Sequence, residues 1–171
     1  MSDIQIERLV KAAKRKNADA FSKLIDSQMQ SLYKTAYAIL KNNEDAADAI
    51  QETILICWEK LPTLKKNQFF KTWLTRILIN ECYKVLEQNK KIVYFEDEPF
   101  DEGKEDEHDI EFKEALEVLD EKYRVVTVLY YSQGFSTKEI SRILNIPDNT
   151  VRTRLSRARE QLKKYYEEQS V

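Results

Sequence analysis

Two glycines and three prolines among 171 residues leave little material for tight turns. A β-sandwich or barrel needs many turns, and turns draw on Gly, Pro, Asn and Asp. An all-β fold is therefore excluded. Gly103 and Gly134 stand apart, so neither a GxGxxG nor a GxxxxGK phosphate loop is present. One histidine, His108, and two cysteines leave little for a His/Cys metal site or a His-dependent triad. No nucleophile–base pair is apparent, no cofactor is expected, and an enzyme is the least favoured class. No run approaches the roughly 18 apolar residues of a membrane helix. The amino-terminal stretch MSDIQIERLVKAAKRKN has no apolar core of signal-peptide length. Cys57 and Cys82 lie in helical patterns far from any CxxC, as small buried hydrophobes in a reducing cytoplasm. A helical, cytoplasmic protein without membrane insertion, one that binds rather than catalyses, is the expectation.

What is present is charge, unevenly placed. The net charge is −2, yet residues 96–109 hold nine acids and one lysine, a local −8, leaving +6 on the other 157 residues. Such asymmetry points to nucleic-acid contact plus an acidic linker.

Apolar spacings of three and four residues predict the helices. They fall over 3–16; 18–42, capped by Asn17; 44–61, capped by Asn43 and ended by Pro62; and 69–89. In the last of these Phe70 and Trp73 continue the apolar stripe, which favours packing over base stacking. Residues 1–90 form one domain. Residues 91–109, with Pro99, Gly103 and the acidic run, form a flexible acidic linker. Helices return at 110–119, 121–132, 137–144 and 148–166, and residues 110–171 form a second domain. Gly134 ends the second of these helices, and Ser136 with Glu139 writes a capping box for the third. The fold expected is all-α, two small helical domains joined by the acidic linker.

The segment STKEISRILNIPDNTVRTRLSRAREQL carries the most specific signal. A helix-turn-helix needs a small residue where its helices touch, then one tolerating positive φ four positions on, then a branched apolar residue six further. Ser141, Asn145 and Val151 fit, and asparagine accepts positive φ best after glycine. The final helix turns Val151, Leu155, Ala158 and Leu162 inward. It turns Arg152, Arg154, Arg157 and Arg159 outward, with Thr153 and Ser156 between them. A basic stripe alone is more often a solvated face; joined to the turn pattern it points to DNA.

Three ordered blocks now resemble one family. EDAADAIQETILICWEKL at 44–61 is similar to DAEDxxQExFxxxW, and FKTWLTRILIN at 70–80 to FxTWLxRIAxN. EKYRVVTVLYYSQGFSTKEISRILNIPDNTVRTRLSRAREQL at 121–162 is similar to RxVxxLxxxxGxSxxEIAxxLxIPxGTVxSRLxRARxxL. The chain resembles bacterial RNA polymerase sigma factors of the extracytoplasmic-function (ECF) group. It departs at Ser141 for Ala, Asn145 and Asn149 for Gly, Asp120 for Pro and Thr153 for Ser.

The resemblance implies partners and roles. The first domain would bind RNA polymerase core and melt the promoter −10 element, and the second would read the −35 element. The linker would lie in the polymerase's RNA exit channel, with Phe95 and Phe100 as possible anchors. Asp45, Asp48, Gln51 and Glu52, on the exposed side of one helix, would meet the core; an acidic, amide-rich face suits a partner rich in Arg and Lys. Residues 60–91 carry eight basic and two acidic residues, which suits a phosphate backbone. The loop at 62–69 would capture an extruded −10 base, with Asn67, Gln68, Phe69 and Asn80 as candidates and Lys65, Lys66, Lys71, Arg76 and Lys84 beside them. At the −35 element, Arg152, Thr153 and Ser156 would read base edges. Arg154, Arg157 and Arg159 would hold phosphates, and Asn149 and Thr150 would donate to phosphate near the helix start. An anti-sigma factor is the usual partner of this group. The competing reading is a two-domain helix-turn-helix regulator acting without polymerase, which leaves the first two blocks unexplained. A helical adaptor without a DNA role ranks third.

Overall fold

A computed structural model describes residues 1–90 and 113–170; the expected acidic linker at 91–109, with Phe95 and Phe100, lies outside the described residues. The described residues hold helices and turns and no strand. The helices are α1 (Asp3–Lys14), α2 (Ala18–Leu40), α3 (Asn43–Lys60), α4 (Phe70–Asn89), α5 (residues 113–117), α6 (Glu121–Thr127), α7 (Thr137–Leu144) and α8 (Asp148–Gln169).

Capping sets the boundaries. Ser2 starts α1 with a capping box to Gln5, and the Asn17 side chain accepts from Ala20 N to start α2. Helix α3 starts one residue earlier than the sequence implies: Asn42, rather than Asn43, accepts from Asp45 N. Asn43 instead accepts a 2.6 Å hydrogen bond from the Tyr33 hydroxyl, which draws it into the first turn. Two 3₁₀ turns, Leu61–Thr63 and Asn67–Phe69, link α3 to α4, and neither has a side-chain cap. The helix expected over 121–132 is α-helical only to Thr127; Val128–Ser132 widens into a π-turn in which Gln133 N reaches back to Val128 O. Gly134 at φ +74° then turns the chain, and Phe135 N donates to Leu129 O.

Helices α1–α4 pack around Val10, Leu24, Ala36, Ala46, Cys57, Leu61, Phe70, Leu74, Leu78 and Cys82, all at most 1% exposed. Burying a Leu or Phe of this kind stabilises by about 1.5–3 kcal/mol relative to leaving it in water. Phe70, at 1% exposure, is core as expected, while Trp73 is half-buried on a groove wall.

The carboxy-terminal helices pack directly on this bundle. Val125, Val126, Leu129, Phe135, Ile140, Ile143, Val151 and Leu155 belong to the same continuous apolar cluster. Helix α6 lies on α2, and α7 lies on α4. The contact also has polar elements. Arg124 reaches the carbonyls of Ala38 and Leu119 at 2.8 Å each. Tyr83 donates to Glu121 at 2.6 Å. Phe135 closes one side of a small cavity lined by Gln28, Ser31, Thr35 and Thr75.

Candidate nucleic-acid interface

The helix-turn-helix has the local geometry its sequence predicts. Ser136 and Glu139 complete the capping box of α7. Asn145 ends that helix at φ +54°, ψ +48°, and its N–H reaches Ser141 O. Ser141 also donates through Oγ to Ile146 O at 2.5 Å, which ties the turn to the helix before it. Val151 is fully buried and Leu155 and Ala158 nearly so, which fixes the rotation of α8.

That rotation exposes Asn149, Arg152, Thr153, Ser156, Arg157 and Arg159 and leaves Thr150 and Arg154 half-buried. Lys122, Tyr123, Asn149, Thr150, Thr153, Arg154 and Arg157 line a cleft of about 250 Å³ between α6 and α8. The Arg157 guanidinium, together with Lys122, lowers the pKa of the Tyr123 phenol. Lys122 also lies 5.1 Å from the Tyr123 ring centre. Lys122 and Tyr123 are members of this cationic cleft that the sequence reading missed; they precede the motif by more than a dozen residues and only the α6–α8 packing brings them in.

The remaining residues divide. Arg152 Nε pairs with Asp148 at 2.9 Å, one helical turn away, and Thr153 donates to Asn149 O. Arg159 points toward Tyr131, donating to its hydroxyl at 3.0 Å, and lines a separate apolar groove with Leu116, Leu119 and Leu162. It stands apart from the Arg154–Arg157 cleft.

On the bundle, Asp48, Gln51 and Glu52 are exposed on one face of α3, and Asp45 is half-buried, accepting from Asn89 at 2.9 Å. Leu55, 63% exposed, continues this face one turn on. Its sequence signal is a large apolar side chain set off the buried face of Ala46, Ala49, Ile50, Thr53 and Cys57.

The loop between α3 and α4 exposes Lys65, Lys66, Gln68 and Phe69, the last 45% accessible with Lys66 Nζ 6.0 Å from its ring. The Asn67 side chain is half-buried, and its Oδ1 has no hydrogen-bond partner. Lys71 pairs with Asp3 at 3.2 Å and Lys84 with Glu81 at 2.9 Å, while Arg76 is exposed. Asn80 and Lys84 face an open groove of about 870 Å³ whose apolar wall is Trp73 and Ile77. Loop and groove thus present amides, cations and aromatic surface, the mixture that unstacked bases require. Among the described residues no cluster of His, Cys, Asp and Glu is arranged to hold a metal ion, and no helix is long and apolar enough to cross a membrane.

Residues 24–92 match the sigma-70 region 2 family and residues 109–162 match sigma-70 region 4. RNA polymerase sigma factor SigV of Bacillus subtilis is 33% identical over 138 residues, covering 78% of this chain and 83% of that protein. ECF RNA polymerase sigma factor SigW of the same organism is 30% identical over 181 aligned positions, covering 95% and 97%. The sigma factor RpoE of Bartonella quintana, solved in complex with the anti-sigma factor NepR, superposes with a TM-score of 0.69 at 27% identity, covering 86% of this chain and 96% of that one. The chain belongs to the sigma-70 family, as an RNA polymerase sigma factor of the ECF group.

Proposed function

We propose that the two helical units divide promoter recognition between them. Residues 1–90 bind RNA polymerase core and the −10 element, and residues 110–171 read the −35 element. The observation that carries this reading is that one chain joins two surfaces of opposite character. An acidic face on α3 (Asp45, Asp48, Gln51, Glu52) suits a cationic protein partner. The basic loop with α4, and the cationic cleft on α8, suit nucleic acid.

The core meets Asp48, Gln51, Glu52 and Leu55, with Asp45 held in place by Asn89. Lys65, Lys66, Lys71, Arg76 and Lys84 follow the phosphates near the −10 element, and Asn67, Gln68, Phe69 and Asn80 meet unstacked bases. In α8, Arg152, Thr153 and Ser156 read base edges. Arg154 and Arg157, with Asn149 and Thr150, hold phosphates; Arg159 holds one from the far flank. An anti-sigma factor restrains the chain until a signal arrives, a reading supported by the Bartonella relative's complex with one. The chain acts inside the cell with the polymerase.

The test mixes the full chain with bacterial RNA polymerase core and duplex promoter fragments and scores run-off transcripts. Transcripts are expected only when chain and core are both present. Tight duplex binding by the chain alone, with core adding nothing, would favour a polymerase-independent regulator.

A further inference from the structure

The loop Leu61–Phe69 poses a structural problem. It consists of two isolated 3₁₀ turns without side-chain caps, yet capturing a single base needs polar edges held to within about half an ångström. Two lysines, Lys14 at the end of α1 and Lys16 in the turn after it, supply the anchorage; both precede the matched region 2. Helix α3 ends at Lys60, and the carbonyl of Trp58 has no helical partner because residue 62 is a proline without an N–H. Lys16 Nζ donates to that carbonyl at 2.9 Å and sits 4.5 Å above the Trp58 ring. Lys14 Nζ donates to the carbonyl of Leu64, in the middle of the loop. Leu64 itself is buried, so the loop is pinned through both its side chain and its backbone.

Lys16 has a second property. Its φ is +64°, the left-handed region where glycine or asparagine is the easy choice. The α1–α2 turn alone gives no reason for lysine. Its ammonium group, closing the end of α3, does give one.

We infer that Lys14 and Lys16 are positioning residues for −10 base selection: they hold the Leu61–Phe69 loop so that Asn67, Gln68 and Phe69 present a fixed pocket edge. This rests on the proposal that the loop engages the −10 strand. The Asp3–Lys71 pair ties the start of α1 to the start of α4 but is exposed and adds little.

The test uses holoenzyme assembled from the full chain and bacterial core, with a pool of duplex promoter fragments randomised over the −10 element. Melted fragments are identified by permanganate reactivity and sequenced. Lys14→Met keeps the aliphatic stem and removes the donor; Lys16→Gly removes the ammonium while relieving the left-handed backbone, so the fold is retained. Both are expected to reduce selectivity at one −10 position at least tenfold, with core affinity unchanged, and Lys14→Arg is expected to restore it. Gln68→Ala and Asn67→Ala report on the loop itself. If these two leave selectivity unchanged, the loop reading fails and the inference with it. If they change selectivity while Lys14→Met and Lys16→Gly retain it, the lysines have no such role. Melting lost equally on every fragment would mark them as structural supports and overturn a role in base choice.

Discussion

Arg124 of α6 donates through Nε to the carbonyl of Ala38, 2.8 Å away near the carboxy-terminal end of α2, although the two residues are 86 apart in sequence. Ala38 lies in the last turn of its helix, and its carbonyl lacks a helical partner. A guanidinium is suited to that position, where the helix dipole is negative. The same side chain reaches Leu119 O, so one buried cation joins the end of α2 to the turn before α6. Burial lowers the Arg124 pKa, while Glu121 and Asp120 oppose that effect.

Arg124→Met removes both bonds and strands two carbonyls. Charge-assisted bonds contribute about 1.5–3 kcal/mol each. Removing a buried charge returns part of this loss. The expected net cost is about 2 kcal/mol, a fall in melting temperature of roughly 4–8 °C for a chain of this size. Arg124→Lys is expected to recover only part of it, since its donors share one nitrogen while Arg124 uses two, Nε and Nη1. Thermal unfolding followed by circular dichroism tests the cost. Scattering tests the packing: Arg124→Met should show a larger radius of gyration than the native chain.

The α8 cations separate by salt dependence. Arg154→Ala and Arg157→Ala are expected to weaken −35 binding about equally on all sequences and to reduce the slope of log K against log salt by about 1 each. Thr153→Ala and Ser156→Ala should instead relax discrimination at one base position, with little change in slope. Arg152→Ala should do the same at a cost of about 1–3 kcal/mol for the correct base. Holoenzyme titrations on duplex fragments at several salt concentrations distinguish these outcomes.

The helix-turn-helix was legible because each of its requirements is local: Ser141, Asn145 and Val151 lie within eleven positions, and each type has one physical reason to be there. The α3 cap was ambiguous because Asn42 and Asn43 are the same residue type, and only the Tyr33 hydroxyl chooses between them. The π-turn at Val128–Ser132 kept an apolar pattern that a regular helix would also show, so periodicity could not find it. Arg124 stands in sequence as the opening arginine of the third motif block, and nothing local says that it is buried. Its burial depends on α6 meeting α2, and the grip of Lys14 and Lys16 depends on α1 meeting a loop some 50 residues away. Long-range packing leaves no periodic trace, whereas caps and stripes do.

The α3 face gives a prediction about partners alone. Asp48, Glu52 and Leu55 are exposed and make no core contact, so Glu52→Lys and Leu55→Asp should change stability by no more than about 0.5 kcal/mol. Each should nevertheless weaken core binding at least tenfold, which is about 1.4 kcal/mol. On the proposed core-binding face, Glu52→Lys reverses a charge that would meet a cationic partner, and Leu55→Asp replaces its large apolar residue with a charge. Fluorescence anisotropy of labelled chain against polymerase core measures both. Unchanged affinity in both would move the core contact off α3.

The two cysteines carry the last prediction. Cys57 and Cys82 are fully buried free thiols on α3 and α4. Burial pushes both pKa values up to about 12 from an ordinary 9, with the Glu81 charge adding to the effect at Cys82. The thiolate is the reactive form, so alkylation of the native chain at pH 8 should be slow at both sites and should proceed at the rate of opening. The pH dependence has a definite sign. Between pH 9 and 12 the folded chain keeps protons that the unfolded chain has released, so stability falls as pH rises through this range. Cys57→Ala and Cys82→Ala should each flatten that fall while lowering stability at pH 7 through lost packing. Denaturant midpoints at pH 7 and pH 10 for the three proteins measure both effects. A wild-type midpoint that does not move between those pH values would mean that the thiols reach water without unfolding.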